Sequence, residues 1–66
     1  MRLSINGETK DFANSINLSK LLEILQVQVN GVAVAINMEI VARNQYDETI
    51  LNDGDEIEIV RAVGGG

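Results

Sequence analysis

Three consecutive glycines close the sequence, and they offer its clearest chemistry: Gly64, Gly65 and Gly66. Glycine inside a helix or strand costs about 0.5 to 1 kcal/mol relative to alanine, so this run predicts that the folded domain stops near Val63 and that a flexible tail follows. A tail without side chains fits a channel that excludes every other residue type. We therefore take the terminal carboxylate of Gly66 as the candidate reactive group, and Gly64 and Gly65 as the tail that enters the active site of a partner.

The residue types that most enzymes use for nucleophilic or metal-assisted catalysis are missing from the sequence. Its 66 residues include no cysteine and no histidine. A thiol nucleophile, a Ser-His-Asp arrangement and a zinc site built on thiolate or imidazole are therefore excluded. We expect no catalytic residue, no bound cofactor and no metal in this chain.

Acidic residues outnumber basic ones by ten to five, for a formal net charge of −5. This charge opposes binding to nucleic acid and to anionic membranes and suits a basic protein partner. Residues 1–6 become polar too early for a signal peptide, and no apolar run is long enough to span a membrane. The sequence therefore predicts a cytoplasmic protein with neither nucleic acid nor membrane as a partner.

Hydrophobic periodicity predicts the elements of the first half. Residues 2–6 alternate with period two, and Asn6-Gly7 is the dipeptide best suited to a two-residue hairpin turn, so a second strand should return over residues 8–12. Leucines at i, i+3, i+4 and i+7 then mark one face of a helix that Asn17 can cap and that should end near Gln26; they are Leu18, Leu21, Leu22 and Leu25.

The second half predicts three more strands. They cover residues 32–36, residues 39–41 and residues 56–63, the last with Ile57 and Ile59 facing inward. Residues 44–52 should form a loop with Tyr46 and Leu51 tucked inward, followed by a turn at Gly54. This order fits an α+β domain over residues 1–63, in which one helix packs across one sheet, with the glycine tail as residues 64–66.

The charged and large side chains outside these patterns have ordinary explanations. Asp53, Asp55 and Glu56 crowd one turn, but the spacing of a calcium-binding loop is absent, so we expect a solvated turn. Arg43 and Arg61 should pair with nearby carboxylates. Burial is the default expectation for Met38, as it is for Tyr46.

Several groups of residues in the second half of the chain together carry a resemblance to a known family. They are residues 32–37, Ile40-Val41 with Arg43, Leu51, Asp53-Gly54-Asp55, residues 57–60 and Gly64-Gly65-Gly66. In these residues the chain resembles the sulfur carrier proteins of thiamine biosynthesis, the ThiS family. One departure is Ala42, which stands where many members have a proline before the arginine. The resemblance implies a β-grasp, ubiquitin-like fold with a mixed sheet.

The chemistry implied by this resemblance takes place on Gly66. A ThiF-like adenylating enzyme would use ATP and magnesium to convert its carboxylate to an acyl-adenylate, and a sulfur-donating enzyme would provide the sulfur that replaces AMP. The resulting thiocarboxylate would be passed to a ThiG-like thiazole synthase. Three alternatives share features of this sequence: a molybdopterin-type sulfur carrier, a ubiquitin-like protein modifier, and a non-covalent interaction module whose glycines are a frayed end.

Overall fold

A five-stranded mixed sheet with one helix forms the fold of residues 1–61, the part of the chain that the computed structural model describes. The strands are β1 (Arg2–Ile5), β2 (Glu8–Asp11), β3 (Val32–Ile36), β4 (Glu39–Val41) and β5 (Glu56–Arg61), and the helix is α1 (Leu18–Ile24). Their order across the sheet is β2-β1-β5-β3-β4. β1 and β5 run parallel and every other neighbouring pair is antiparallel. The predicted arrangement of one helix on one sheet is confirmed.

The turn between β1 and β2 has the geometry that its sequence predicts. Asn6 and Gly7 both adopt left-handed backbone angles, with φ of 51° and 85°. Two successive residues of this kind form the turn whose twist matches that of the flanking strands. The hairpin therefore closes with its register fixed, so that Ile5 lies opposite Glu8.

Helix α1 begins where the sequence places its cap. The Oδ1 of Asn17 accepts a hydrogen bond from the backbone N–H of Lys20 at 2.7 Å, which satisfies a donor that the helix itself cannot. Its Nδ2 also donates to the carbonyl oxygen of Asp47 at 3.2 Å, so the cap ties the helix to the 44–52 loop. The helix ends at Ile24, and Gln26 then takes a left-handed φ of 59°.

One continuous core lies between α1 and the inner face of the sheet. Three of the four predicted core leucines are buried, and Leu25, the C-cap residue of the helix, is partly buried and packs against the core. Tyr46 and Leu51 fold inward as predicted, with only 6% and 0% of their surface exposed. The buried set comprises Leu3, Ile5, Leu18, Leu21, Leu22, Val34, Tyr46, Leu51 and Ile57.

The loop after β4 follows the backbone path that a proline would favour, although none is present. Ala42 has a φ of −66°, which is the angle that a proline ring fixes. A short 3₁₀ turn follows over Arg43–Gln45. The departure at Ala42 therefore leaves this loop compatible with the resemblance.

No helix within residues 1–61 has the length and apolar content needed to cross a membrane.

Candidate tail-bearing strand and docking face

Strand β5 carries the candidate reactive residue at its C-terminal side. The strand is described as far as Arg61, so Ala62 and Val63, which were predicted to extend it, lie outside the described residues. The same holds for Gly64, Gly65 and Gly66. Gly66 is the fifth residue after Arg61, and five residues of extended chain reach at most about 18 Å. The end of β5 therefore determines where the carboxylate of Gly66 can go.

The two neighbours of β5 hold it over different lengths. Towards β3 the pairing covers five positions, from Ile36 opposite Ile57 to Val32 opposite Arg61. Towards β1 it covers only two, Ser4 with Glu56 and Ile5 with Ile57, because β1 then turns away at Asn6. The last residues of β5 consequently have a backbone partner in β3 and none in β1.

The side chain of Asn6 replaces part of the backbone pairing that β5 lacks on the β1 side. Its Oδ1 accepts a hydrogen bond from the backbone N–H of Ile59 at 2.8 Å, and its Nδ2 donates to the carbonyl oxygen of Ile59 at 3.3 Å. The sequence interpretation gave Asn6 only a role in the turn. Its contact with a residue 53 positions away could not be found from local sequence, since Asn-Gly is sufficient to explain a hairpin.

A second asparagine holds the other end of β5. The Oδ1 of Asn37 accepts from the backbone N–H of Glu56 at 3.0 Å, and its Nδ2 donates to the Oδ1 of Asp55 at 3.1 Å. Asp55 also accepts from the N–H of Asn52 at 2.8 Å. Asp53 accepts from the N–H of Arg2 at 2.6 Å. Asp53 and Asp55 thus hold the turn before β5 in place.

The outer face of the sheet, opposite α1, exposes apolar side chains that the sequence interpretation did not find. Val34 and Ile57 are buried on the inner face, so alternate residues of the same strands point outward. Register places Ala33 beside Val60, and Ala35 beside Ile40. Ile40 and Val60 are 74% and 62% exposed. We call Ala33, Ala35, Ile40 and Val60 the apolar stripe.

Acidic side chains lie beside the apolar stripe. Glu58 pairs with Ala35 and therefore shares its face, and Glu56 lies two residues earlier on the same strand. Both are exposed, as the alternating pattern of β5 predicts. An apolar surface with charged neighbours has the general make-up of a protein-binding surface, where a small apolar centre is surrounded by polar residues.

The expectation that Met38 is buried is wrong. Met38 is 87% exposed, because it lies in the turn between β3 and β4 with a left-handed φ of 73°.

The expected pairing of Arg43 and Arg61 with carboxylates is not found within residues 1–61. The guanidinium of Arg43 donates to the side-chain oxygen of Asn30, and none of the three ion pairs among these residues includes Arg43 or Arg61. Residues 1–61 also hold no group of three acidic side chains able to bind a metal ion.

Comparison with known proteins gives a consistent result over the whole length. The sequence model of the ThiS family matches residues 3–66. The sulfur carrier protein ThiS of Escherichia coli (strain K12) is 35% identical over 66 residues, and the alignment covers 100% of both chains. A crystal structure of a thiamine biosynthesis protein (ThiS) from Geobacter metallireducens matches with a TM-score of 0.89 at 36% identity, again over 100% of both chains. The expected β-grasp, ubiquitin-like fold is confirmed.

A different kind of relative is much longer. The thiazole synthase of Paramagnetospirillum magneticum is 46% identical to this chain over 66 residues. The present chain spans 100% of its own length in that alignment but only 20% of the relative. In that protein, a segment similar to this chain is therefore part of the same polypeptide as the rest of the synthase.

Proposed function

Since the chain belongs to the ThiS family, we propose that it is a sulfur carrier protein of thiamine biosynthesis whose Gly66 carboxylate is converted to a thiocarboxylate. The observation that carries the proposal is the full-length alignment with the sulfur carrier protein ThiS of Escherichia coli, which extends through the three glycines at the end of this chain. The chain would be a protein substrate of partner enzymes rather than a catalyst.

The proposed chemistry needs activation of the Gly66 carboxylate, because a carboxylate is a poor electrophile. In a ThiF-like adenylating enzyme, one carboxylate oxygen would attack the α-phosphorus of magnesium-bound ATP, and pyrophosphate would leave. Sulfide-level sulfur (HS⁻), released by a sulfur-donating enzyme, would then attack the carbonyl carbon. AMP would leave with the carboxylate oxygen that had attacked phosphorus, the S–H proton would be lost to water, and the sulfur would remain as the thiocarboxylate.

This division of labour assigns positioning to the carrier and bond-making to its partners. The sequence has no histidine or cysteine to act as base or nucleophile. Only five residues, 62–66, follow the described end of β5, so a docked domain would keep Gly66 close to its own surface. Holding a reacting group at the correct place converts a bimolecular step into an effectively unimolecular one.

We assign the apolar stripe to docking of the thiazole synthase. Two arguments support this partner. A segment similar to this chain occurs within one polypeptide with a thiazole synthase, which keeps the two tethered to each other in that relative. The stripe also lies on β3, β4 and β5, and β5 is the strand that leads to Gly66.

Replacement of Ile40 by glutamate should weaken binding to thiazole synthase at least about fivefold, because loss of an apolar side chain that contributes to an interface costs more than about 1 kcal/mol. Isothermal titration of the purified synthase with Ile40→Glu would measure this loss. The control is Ile24→Glu, since Ile24 is 48% exposed on α1, on the other side of the sheet. Equal losses for the two variants would refute docking through the stripe.

The intact mass of the protein tests the proposed function itself. After incubation with ATP, magnesium, a sulfur source and the adenylating enzyme, we expect a species heavier by the difference between one sulfur and one oxygen atom. Fragmentation should place this difference on Gly66. Persistence of the unmodified mass alone, under conditions in which the adenylating enzyme is active on a known carrier, would refute the proposal.

A further inference from the structure

We propose that Asn6 is a positioning residue: its side chain completes the β1 side of β5 and so holds the end of the strand from which residues 62–66 continue. We call the two hydrogen bonds between the side chain of Asn6 and the backbone of Ile59 the clamp; both lie within residues 1–61. The effect of the clamp on chemistry rests on the proposed function, in which residues 62–66 deliver Gly66 to a reacting centre.

The geometry shows a side chain taking the place of a strand residue. Along the parallel pair, the backbone N–H of Ser4 donates to the carbonyl of Asp55 at 3.0 Å, and that of Asn6 donates to the carbonyl of Ile57 at 2.9 Å. The next step of this ladder falls at Ile59, but the chain has already turned away through Gly7. A primary amide carries both an acceptor and a donor, as a peptide group does. Asn6 uses both on the backbone of Ile59.

Position 6 requires a residue that tolerates a left-handed backbone and whose side chain offers both a donor and an acceptor, and few residues do both. The backbone of Asn6 has a φ of 51°, a conformation that asparagine, aspartate and glycine tolerate better than other residues. Glycine lacks the side chain. Aspartate offers only acceptors when ionised, so one carboxylate oxygen would face the carbonyl oxygen of Ile59 with no donor between them.

The clamp matters because of where it lies. Ile59 is seven residues before Gly66, and the strand beyond Ile57 has no backbone pairing with β1. Loss of the amide would leave the N–H and C=O of Ile59 to water on that side. The end of β5 would then open more often, and the carboxylate of Gly66 would start from a wider range of places and directions.

Asn37 supplies a matched control for Asn6. Both residues have a φ of 51°, and both side chains bond to the backbone or turn of β5. Asn37 does so at Glu56, the first residue of the strand, and Asn6 does so near its last residues. Replacement by glycine removes the side chain without straining the backbone in either case. Asn6→Gly and Asn37→Gly should therefore remove the same type of hydrogen bond from β5, the first at Ile59 and the second at Glu56.

Amide hydrogen exchange tests the clamp directly. A hydrogen bond typically contributes about 0.5 to 1.5 kcal/mol net, which corresponds to about two- to tenfold in a local opening equilibrium. We expect the Ile59 amide to exchange about fivefold faster in Asn6→Gly and to be unchanged in Asn37→Gly, where the Glu56 amide should accelerate instead. Asn6→Asp should behave like Asn6→Gly and serves if the glycine variant folds poorly. If the Ile59 amide exchanges at the wild-type rate in both Asn6→Gly and Asn6→Asp, the clamp is refuted.

The kinetics of adenylate formation test whether the clamp affects delivery of Gly66 to the reacting centre. With a ThiF-like enzyme, Asn6→Gly should lower kcat about fivefold and leave KM for the carrier within twofold, because removal of one side chain leaves the rest of the folded surface available for binding while delivery of Gly66 is impaired. Asn37→Gly should leave both constants within twofold. Equal changes in the two variants, or a raised KM with kcat unchanged, would overturn the positioning role. Failure of the wild-type chain to be adenylated would overturn the proposed function instead, and the exchange rates would still decide the clamp.

Discussion

Deletion of Gly65 and Gly66 is expected to abolish formation of the thiocarboxylate while leaving the fold of residues 1–61 unchanged. The shortened chain still ends in a carboxylate, on Gly64, but two residues fewer place it about 7 Å short of the reacting centre. A displacement of even about 1 Å can cost a reaction about 10²-fold. We therefore expect ATP–pyrophosphate exchange with the adenylating enzyme to fall by at least about 10²-fold.

Two properties of the folded domain serve as controls for this deletion: its thermal stability and its affinity for thiazole synthase. The thermal midpoint of the shortened chain should match that of the wild type, because the buried core found within residues 1–61 runs from Leu3 to Ile57. Its affinity for thiazole synthase should also fall much less than its adenylation, since the apolar stripe is retained. A shortened chain that still supports thiazole formation would contradict the carrier function and favour a non-covalent interaction module.

Replacement of Leu21 by alanine should cause a large loss of folding stability. Leu21 is fully buried at the centre of α1, and truncation of a buried leucine costs about 2 to 5 kcal/mol from lost burial and the cavity left behind. A core in a chain of this length rarely supplies more than about 3 to 5 kcal/mol. We therefore expect Leu21→Ala to be largely unfolded at room temperature. Urea denaturation followed by circular dichroism would measure the free energy of unfolding.

Ile24→Ala is the matched control for Leu21→Ala. Ile24 lies one turn later on the same helix but is 48% exposed, so its truncation leaves no closed cavity. Alanine also has a higher helix propensity than isoleucine, which offsets part of the lost contact. The expected cost is below about 1 kcal/mol. Similar losses for the two variants would contradict the packing of α1 described above.

The elements of this fold could be predicted because each depends on near neighbours in sequence. Four leucines at helical spacing place one face of α1 against a core wherever the helix lies. Asn17 can cap that helix through a residue three positions away, and Asn6-Gly7 closes a hairpin through the backbone angles of two residues. The inward turns of Tyr46 and Leu51 follow from the cost of leaving such side chains in water.

The contacts that define the candidate site depend on tertiary structure. Local patterns do not specify that β5 lies between β1 and β3, so they cannot show that Asn6 reaches Ile59 or that Ile40 and Val60 lie on one face with two alanines between them. Met38 illustrates the same limit, because its exposure follows from its place in a turn at the edge of the sheet rather than from its hydrophobicity. By itself the sequence determined the elements, their inward faces and the glycine ending, which are short-range properties. Only the tertiary structure decided which distant residues meet on β5, because strand order is set by the joint packing of the whole core.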